Sequence, residues 1–196
     1  MIAAWLAEQR YFTYNINMIA LNREADTPSF VPDYLAKSLS DVDFALLKKQ
    51  GVRFIAFDAD STLVHIRGTA LPEETKSLLI EKRKLFKQWC IASNRPINNL
   101  QTLGNSIGAP VIRAGLLTRK PSRRYFKKVL RHFNAQPHEV AMVGDKLIAD
   151  MWGAKRAGMV TVWVEKIGPD NPWDRLLAVR HWERRLMQKY LSQGGD

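Results

Sequence analysis

The chain reads as an α/β protein, a mostly parallel sheet with helices on both faces. Three observations predict this. Short apolar, β-rich runs recur at 52–57, 88–92, 110–112, 140–143 and 161–164. Helix-length segments separate them, several opened by proline and closed by glycine. Polar or acidic residues follow the runs: Asp58, Ser93, Lys120 and Asp145. Strands alternating with helices at short spacing pack as a parallel sheet, and such sheets bind ligands at the carboxyl ends of their strands.

Met1 to Asn22 carries scattered aromatics and is expected to be helical, and Asp26 to Pro32 is a linker. Ser40-Asp41-Val42-Asp43 can cap a helix over Phe44–Gln50, which Gly51 stops. Strand 52–57 follows. Pro72 and two early glutamates open a helix to about Lys87, because proline lacks a donor that the first turn would leave unpaired. After strand 88–92, a helix runs from Pro96 to about Ile107. Strand 110–112 precedes a basic helix from Pro121 to near Asn134. Strand 140–143 ends at Gly144-Asp145, a helix over Ile148–Ala157 stops at Gly158, and strand 161–164 follows. A final helix is expected from Trp173 to about Leu191. The organisation is an N-terminal helical extension and linker over 1–32, a core over 33–170 and a basic amphipathic helix over 171–196.

The 196 residues suit one domain, and 46% apolar content is enough for a sizeable core. Cys90 is the only cysteine, so no intrachain disulfide forms, and its apolar strand makes a catalytic thiol a poor reading. No apolar run approaches the roughly 18–20 residues that span a bilayer. Glu8 and Arg10 interrupt the N-terminal run, which lacks a basic lead-in, so no secretory signal is read. The net charge of +11 favours polyanions or anionic lipid surfaces.

The chemistry concentrates after the first core strand. Residues two apart on an extended chain point the same way, so Asp58 and Asp60 can face one site. Two such acids repel unless a cation or proton lies between them. The alternative is a turn in which one Asp caps the next helix. Ser93, Lys120, Asp145 and Asp150 complete four stations at strand ends or helix starts. Phosphoryl transfer needs such a set: a nucleophile, a proton donor, metal ligands and a cation for phosphate oxygens. Mg²⁺ takes hard oxygen ligands, which Asp58 and Asp145 with one backbone carbonyl would supply.

In order along the chain, Asp58-Ala59-Asp60-Ser61-Thr62, Ile91-Ala92-Ser93-Asn94, Lys120-Pro121 and Gly144-Asp145 with Asp150 resemble the four motifs of haloacid dehalogenase superfamily phosphatases. The resemblance implies the Rossmann-like sheet of that superfamily. It implies Asp58 as nucleophile, forming an aspartyl-phosphate, and Asp60 as acid then base. Ser93 would bond the phosphoryl oxygens, with a helix cap as its alternative role. Lys120 would neutralise charge, with Arg119 as its competitor. Asp145 would bind Mg²⁺, directly or helped by Asp150, and the metal set is Asp58, Asp145, Asp150 and the backbone carbonyl of Asp60. Asp150 could instead be a supporting or surface acid. Thr62, Asn94 and Arg119 are placed at the substrate, with Thr62 also fixing the loop by hydrogen bonding. Neither the span from Thr62 to Ser93 nor that from Asn94 to Lys120 can hold the inserted cap domain common in the superfamily. The site is therefore expected to be capless and open.

Pro32-Asp33-Tyr34, Gly144 through Asp150 and Arg156-Ala157-Gly158 resemble subfamily IIIA, the branch of YqeG-like proteins and mitochondrial phosphatidylglycerophosphate phosphatases. Lys146 and Ser61 depart from that branch, where Gln and Asn are common. The implied function is a Mg²⁺-dependent phosphomonoester hydrolase, acting on a large or membrane-held substrate such as phosphatidylglycerophosphate. The alternatives are soluble phosphates or nucleic-acid 3′ ends, and a non-enzymatic RNA- or ribosome-associated module. The basic helices, with Trp173 and Trp182 in the last, can lie on an anionic membrane or pack on the sheet with their charges solvated. Nucleic acid is a further possible partner of the basic surface, without a binding motif to support it. The expected location is cytoplasmic, peripheral to the inner face of a membrane.

Overall fold

A computed structural model describes residues 18–20, 30–95, 100–168 and 185. Seven strands form one sheet in the order β1-β2-β7-β6-β3-β4-β5. They are β1 (Met18–Ala20), β2 (Tyr34–Ala36), β3 (Phe54–Phe57), β4 (Gln88–Ser93), β5 (Val111–Arg113), β6 (Val140–Gly144) and β7 (Val160–Val164). β1 pairs antiparallel with β2, and all other pairings are parallel. The five expected strands are present. Two more are added, and the helix expected over Met1 to Asn22 is corrected at Met18–Ala20, which is a strand. The rest of that helix, the start of the one from Pro96 and, apart from the helical Arg185, the C-terminal helix after Pro172 lie outside the described residues.

The period of two along a strand sorts the core. Ile55 and Phe57 of β3, Trp89 and Ile91 of β4, and Ala141 and Val143 of β6 share one face. The intervening Phe54, Ala56, Cys90, Ala92, Val140 and Met142 share the other. Helices α1 (Phe44–Lys49), α2 (Glu73–Lys82) and α3 (Leu100–Ser106) cover the first face through Phe44, Leu47, Leu79, Leu100 and Leu103. Helix α4 (Arg123–Phe133) covers the second with Tyr125, Phe126, Val129 and Phe133. Burying each large side chain contributes about 1.5–3 kcal/mol. Because both faces are covered, the central strands are apolar throughout.

Local signals set the helix ends. Asp43 accepts a hydrogen bond from Leu46 N at 2.9 Å and caps α1. Gly51 then takes φ +90°, a conformation that costs a residue with a Cβ. Ser122 caps α4, and Asn134 ends it in the left-handed region. After β6, the expected helix over Ile148–Ala157 is instead a π-helical turn, Leu147–Trp152, running into α5 (Gly153–Arg156).

β2 is stapled to β7 by Asp33. Its Oδ2 accepts from Thr161 N at 2.8 Å and Thr161 Oγ1 at 2.9 Å, and its Oδ1 lies 3.3 Å from Lys155 Nζ. Asp33→Ala removes the acceptor of the buried Thr161 donors and the carboxylate that balances Lys155, which keeps neutral acceptors such as Val31 O. The expected loss is about 2–3 kcal/mol in urea unfolding. A loss under about 0.5 kcal/mol, typical of a surface change, would refute the staple.

Candidate active site

Register puts the stations side by side. Phe57 stands level with Ile91 of β4 and Val143 of β6. The three central strands therefore end in a row, and Asp58, Ser93 and Asp145 emerge at one edge. Asp58 N still bonds Val143 O at 2.9 Å. Beyond it Thr62, Leu63 and Val64 all donate their N–H groups to Ala59 O, which curls the loop tightly. Ser61 at the bend has φ +67°, unusual for a residue with a Cβ.

Lys120 lies at the centre. Its Nζ is 2.6 Å from Asp58 Oδ1 and 2.6 Å from Asp150 Oδ1, and all three side chains are buried. Asn94, at the end of β4, grips the Lys120 backbone. Lys120 N donates to Asn94 Oδ1 at 2.7 Å and Asn94 Nδ2 donates to Lys120 O at 2.9 Å. Asp150 Oδ2 accepts from Lys146 N at 3.0 Å. Gly144 makes room for that carboxylate, since a Cβ there would lie 2.6 Å from Asp150 Oδ2. Asp145 is fixed through its backbone, where its carbonyl accepts from Trp163 Nε1 at 2.8 Å.

Burial raises the Asp58 pKa, but Lys120 and Lys146 outweigh it and hold the carboxyl below the usual range. Burial, opposed by Lys120 and reinforced by Asp58, pushes Asp150 up to about 6. Burial would lower Lys120, yet Asp150 and Asp58 hold its ammonium above the ordinary lysine value. A lysine raised on folding adds stability that is complete below its unfolded value, near 10.5, and is lost as pH rises through the folded one. Tm should therefore fall more steeply between pH 10 and pH 11.5 (~1 unit beyond the unfolded value) in the parent protein than in Lys120→Met. Parallel slopes would contradict the assignment.

Asp58, Asp145 and Asp150 bring one carboxylate oxygen each within 4.8 Å of one another. Asp58 Oδ2 is buried and has no hydrogen-bond partner. Lys146 Nζ lies 3.6 Å from it and 3.3 Å from Asp145 Oδ1, so its partly exposed ammonium offsets the charge of both acids. Three carboxylates offering hard oxygens this close together suit a divalent cation.

A cleft of about 430 Å³ opens over this edge, lined by Asp58, Asp60, Ser93, Asn94, Arg119 and Lys120, among others. Ser93 Oγ accepts from Arg95 N at 3.2 Å and keeps its own proton to donate. Two sequence expectations change. Thr62 is buried at 1% exposure and does not line the cleft, and it ties the loop through its backbone N–H, which donates to Ala59 O at 3.4 Å, while its Oγ1 has no hydrogen-bond partner. Asn94 lines the cleft, but its amide is committed to the Lys120 backbone.

Arg95 was not picked out from the sequence. Its Nη1 lies 2.9 Å from Asp60 Oδ1 and 2.9 Å from Gly68 O, and Arg67 N donates to the same Asp60 oxygen at 2.8 Å. The available signal was a base directly after the strand-end pair Ser93-Asn94.

The sequence model of the family described as mitochondrial PGP phosphatase matches residues 15–167. The probable phosphatase YqeG of Bacillus subtilis (strain 168) is 26% identical over 170 residues, 84% of this chain and 94% of YqeG. Phosphatidylglycerophosphate phosphatase 1, chloroplastic/mitochondrial, of Arabidopsis thaliana is 25% identical over 178 residues, 86% of this chain and 50% of that protein. The glyceraldehyde 3-phosphate phosphatase of Pyrococcus furiosus is 53% identical over 45 residues, which span only 19% of its length and 23% of this chain. A crystal structure of an uncharacterized protein from Listeria monocytogenes serotype 4b shares the fold, with a TM-score of 0.50 and 20% identity over 70% of this chain and 99% of that one.

Proposed function

The chain belongs to the mitochondrial PGP phosphatase family, a YqeG-like branch of the haloacid dehalogenase superfamily, and from that premise we propose that it is a Mg²⁺-dependent phosphomonoesterase acting on a lipid-borne phosphate such as phosphatidylglycerophosphate. The observation that carries the chemistry is Lys120 Nζ at 2.6 Å from both Asp58 and Asp150, beside a carboxylate oxygen of Asp58 that accepts no hydrogen bond. One oxygen of Asp58 is held and charge-balanced. The other is left to attack.

In the first step Asp58 Oδ2 bonds to phosphorus as the ester P–O bond breaks, and Asp60 gives its proton to the leaving oxygen. In the second, Asp60 takes a proton from water. The water oxygen then attacks phosphorus, which frees Asp58 and inorganic phosphate. Arg67 and Arg95 hold Asp60 Oδ1, so Oδ2 is the oxygen that exchanges the proton. Ser93 Oγ donates to a phosphoryl oxygen, and Lys120 balances the charge that leaves Asp58. Asp58, Asp145, Asp150 and the Asp60 carbonyl would hold Mg²⁺. When bound, that ion supplies positive charge to the phosphoryl oxygens.

The substrate reading draws on the family and on the cleft. The loop from Ser61 to Pro72 and helix α2 fill the stretch between β3 and β4, which supports an open, capless site. Arg119 and Lys146 at its rim suit a phosphate on a bulky carrier. Among the described residues no helix is long and apolar enough to cross a membrane.

Arg95→Ala should lower turnover by about 10–100-fold, because Asp60 loses the contact that aims it. An unchanged rate would remove Arg95 from the site. The deciding assay is Mg²⁺-dependent phosphate release from phosphatidylglycerophosphate in mixed micelles, with soluble phosphate esters in parallel. Release from the lipid far above the soluble esters supports the substrate. Release from soluble esters alone keeps the chemistry and discards the lipid.

A further inference from the structure

Three residues before Lys120, the chain makes a two-residue turn. Gly115 N donates to Thr118 O at 3.0 Å and Thr118 N to Gly115 O at 3.1 Å, which leaves Leu116 and Leu117 at the tip. They are 98% and 80% exposed. The other large apolar side chains exposed among the described residues, Ile80 at 57% and Ile148 at 44%, are each more covered. Tight turns favour Gly, Asn, Asp and Pro, whose backbones or side chains stabilise the bend. Two adjacent leucines do nothing for this turn and place apolar surface in water.

Their surroundings are positive. The sequence holds no acid between Glu81 and Glu139. Arg124, Lys127, Lys128 and Arg131 recur at helical spacing on the exposed side of α4, opposite its buried face. With Thr118 and Leu130 they line a groove of about 460 Å³. Thr118 belongs to both turn and groove, so the apolar tip and the basic groove are continuous. Arg119, the next residue, lines the cleft over Asp58. Bases alone would serve a polyanion of any kind. Paired leucines beside them add apolar surface that the acyl boundary of a bilayer buries and a phosphate backbone does not.

We propose that the Leu116-Leu117 turn and the basic face of α4 form a docking surface for an anionic lipid bilayer. The leucines enter the acyl boundary and the bases hold headgroup phosphates. Lipid binding of this kind needs no catalysis. Its link to the cleft rests on the lipid-phosphatase reading, and the test keeps the two apart.

The full chain is sedimented with phosphatidylcholine vesicles with and without ~30 mol% phosphatidylglycerol. Leu116→Ser/Leu117→Ser and Lys127→Glu/Arg131→Glu are run beside it, with thermal melting to show that these exposed changes leave the fold intact. The parent protein is expected to sediment with the anionic vesicles and weakly with neutral ones. Each double variant should lose about tenfold or more in vesicle affinity. The leucine variant should keep its hydrolysis of p-nitrophenyl phosphate. Unchanged vesicle affinity in the leucine variant overturns the proposal. So does tight binding to single-stranded RNA without vesicle binding, which would give the bases to nucleic acid. Leucine-dependent vesicle binding without phosphate release from the lipid sustains the docking surface and removes the lipid as substrate.

Discussion

Asp58→Asn is expected to lower phosphate-ester hydrolysis by roughly 10⁴-fold or more, the scale at which a lost covalent nucleophile is felt. An amide is nearly the size of a carboxylate but is a poor nucleophile for phosphorus. Lys120 keeps its ion pair with Asp150 at 2.6 Å, so no buried cation is left without a partner. The variant should fold, with a circular dichroism spectrum and melting profile close to the parent. Loss of rate with preserved melting assigns the defect to chemistry. A rate above about a hundredth of the parent's would mean that another group attacks phosphorus.

Lys120→Met carries the largest expected cost in stability. Removing one partner from a buried ion pair costs about 3–5 kcal/mol, because a charge stays behind without compensation. Here two carboxylates, Asp58 and Asp150, lose a contact of 2.6 Å each. Lys146, at 3.6 Å from Asp58, covers the loss only partly. Urea unfolding should show the deficit, and saturating Mg²⁺ should recover part of it through Asp58, Asp145 and Asp150. Activity should fall as well, but the recovery by Mg²⁺ is the more telling readout because it needs no turnover. A deficit under about 1 kcal/mol, the scale of exposed pairs, would mean that Lys120 is not coupled to the two acids as its distances imply.

The central sheet was legible because each buried parallel strand is an unbroken apolar run bounded by turn residues. Phe54–Phe57 and Val140–Val143 announce themselves in that way, and the acids after them stand out by contrast. β1 and β2 did not, because Met18–Ala20 and Tyr34–Ala36 hold at most one β-branched residue each, against the Val111-Ile112 pair that marks the equally short β5. The signal at β2 is polar: Asp33 binds Thr161 more than a hundred residues away, which no local pattern encodes. Asn94 was legible as a site residue and misread in its role, since its partner is the backbone of Lys120, contributed by another loop. Arg95 went unseen for the same reason. Its partners Asp60 and Gly68 belong to a different strand-end loop.

The two bonds between Asn94 and the Lys120 backbone separate what must stay fixed from what can vary. Asp58 and Lys120, proposed above as nucleophile and charge balance, are built into the end of β3 and the chain leading to α4, with Asn94 at the end of β4. The groups facing outward, such as Arg119, Ile66 and the leucines at the turn, hang on short loops outside that frame. A new phosphate carrier could be accommodated by changing those loops while the Asp58–Lys120–Asp150 cluster stays as it is.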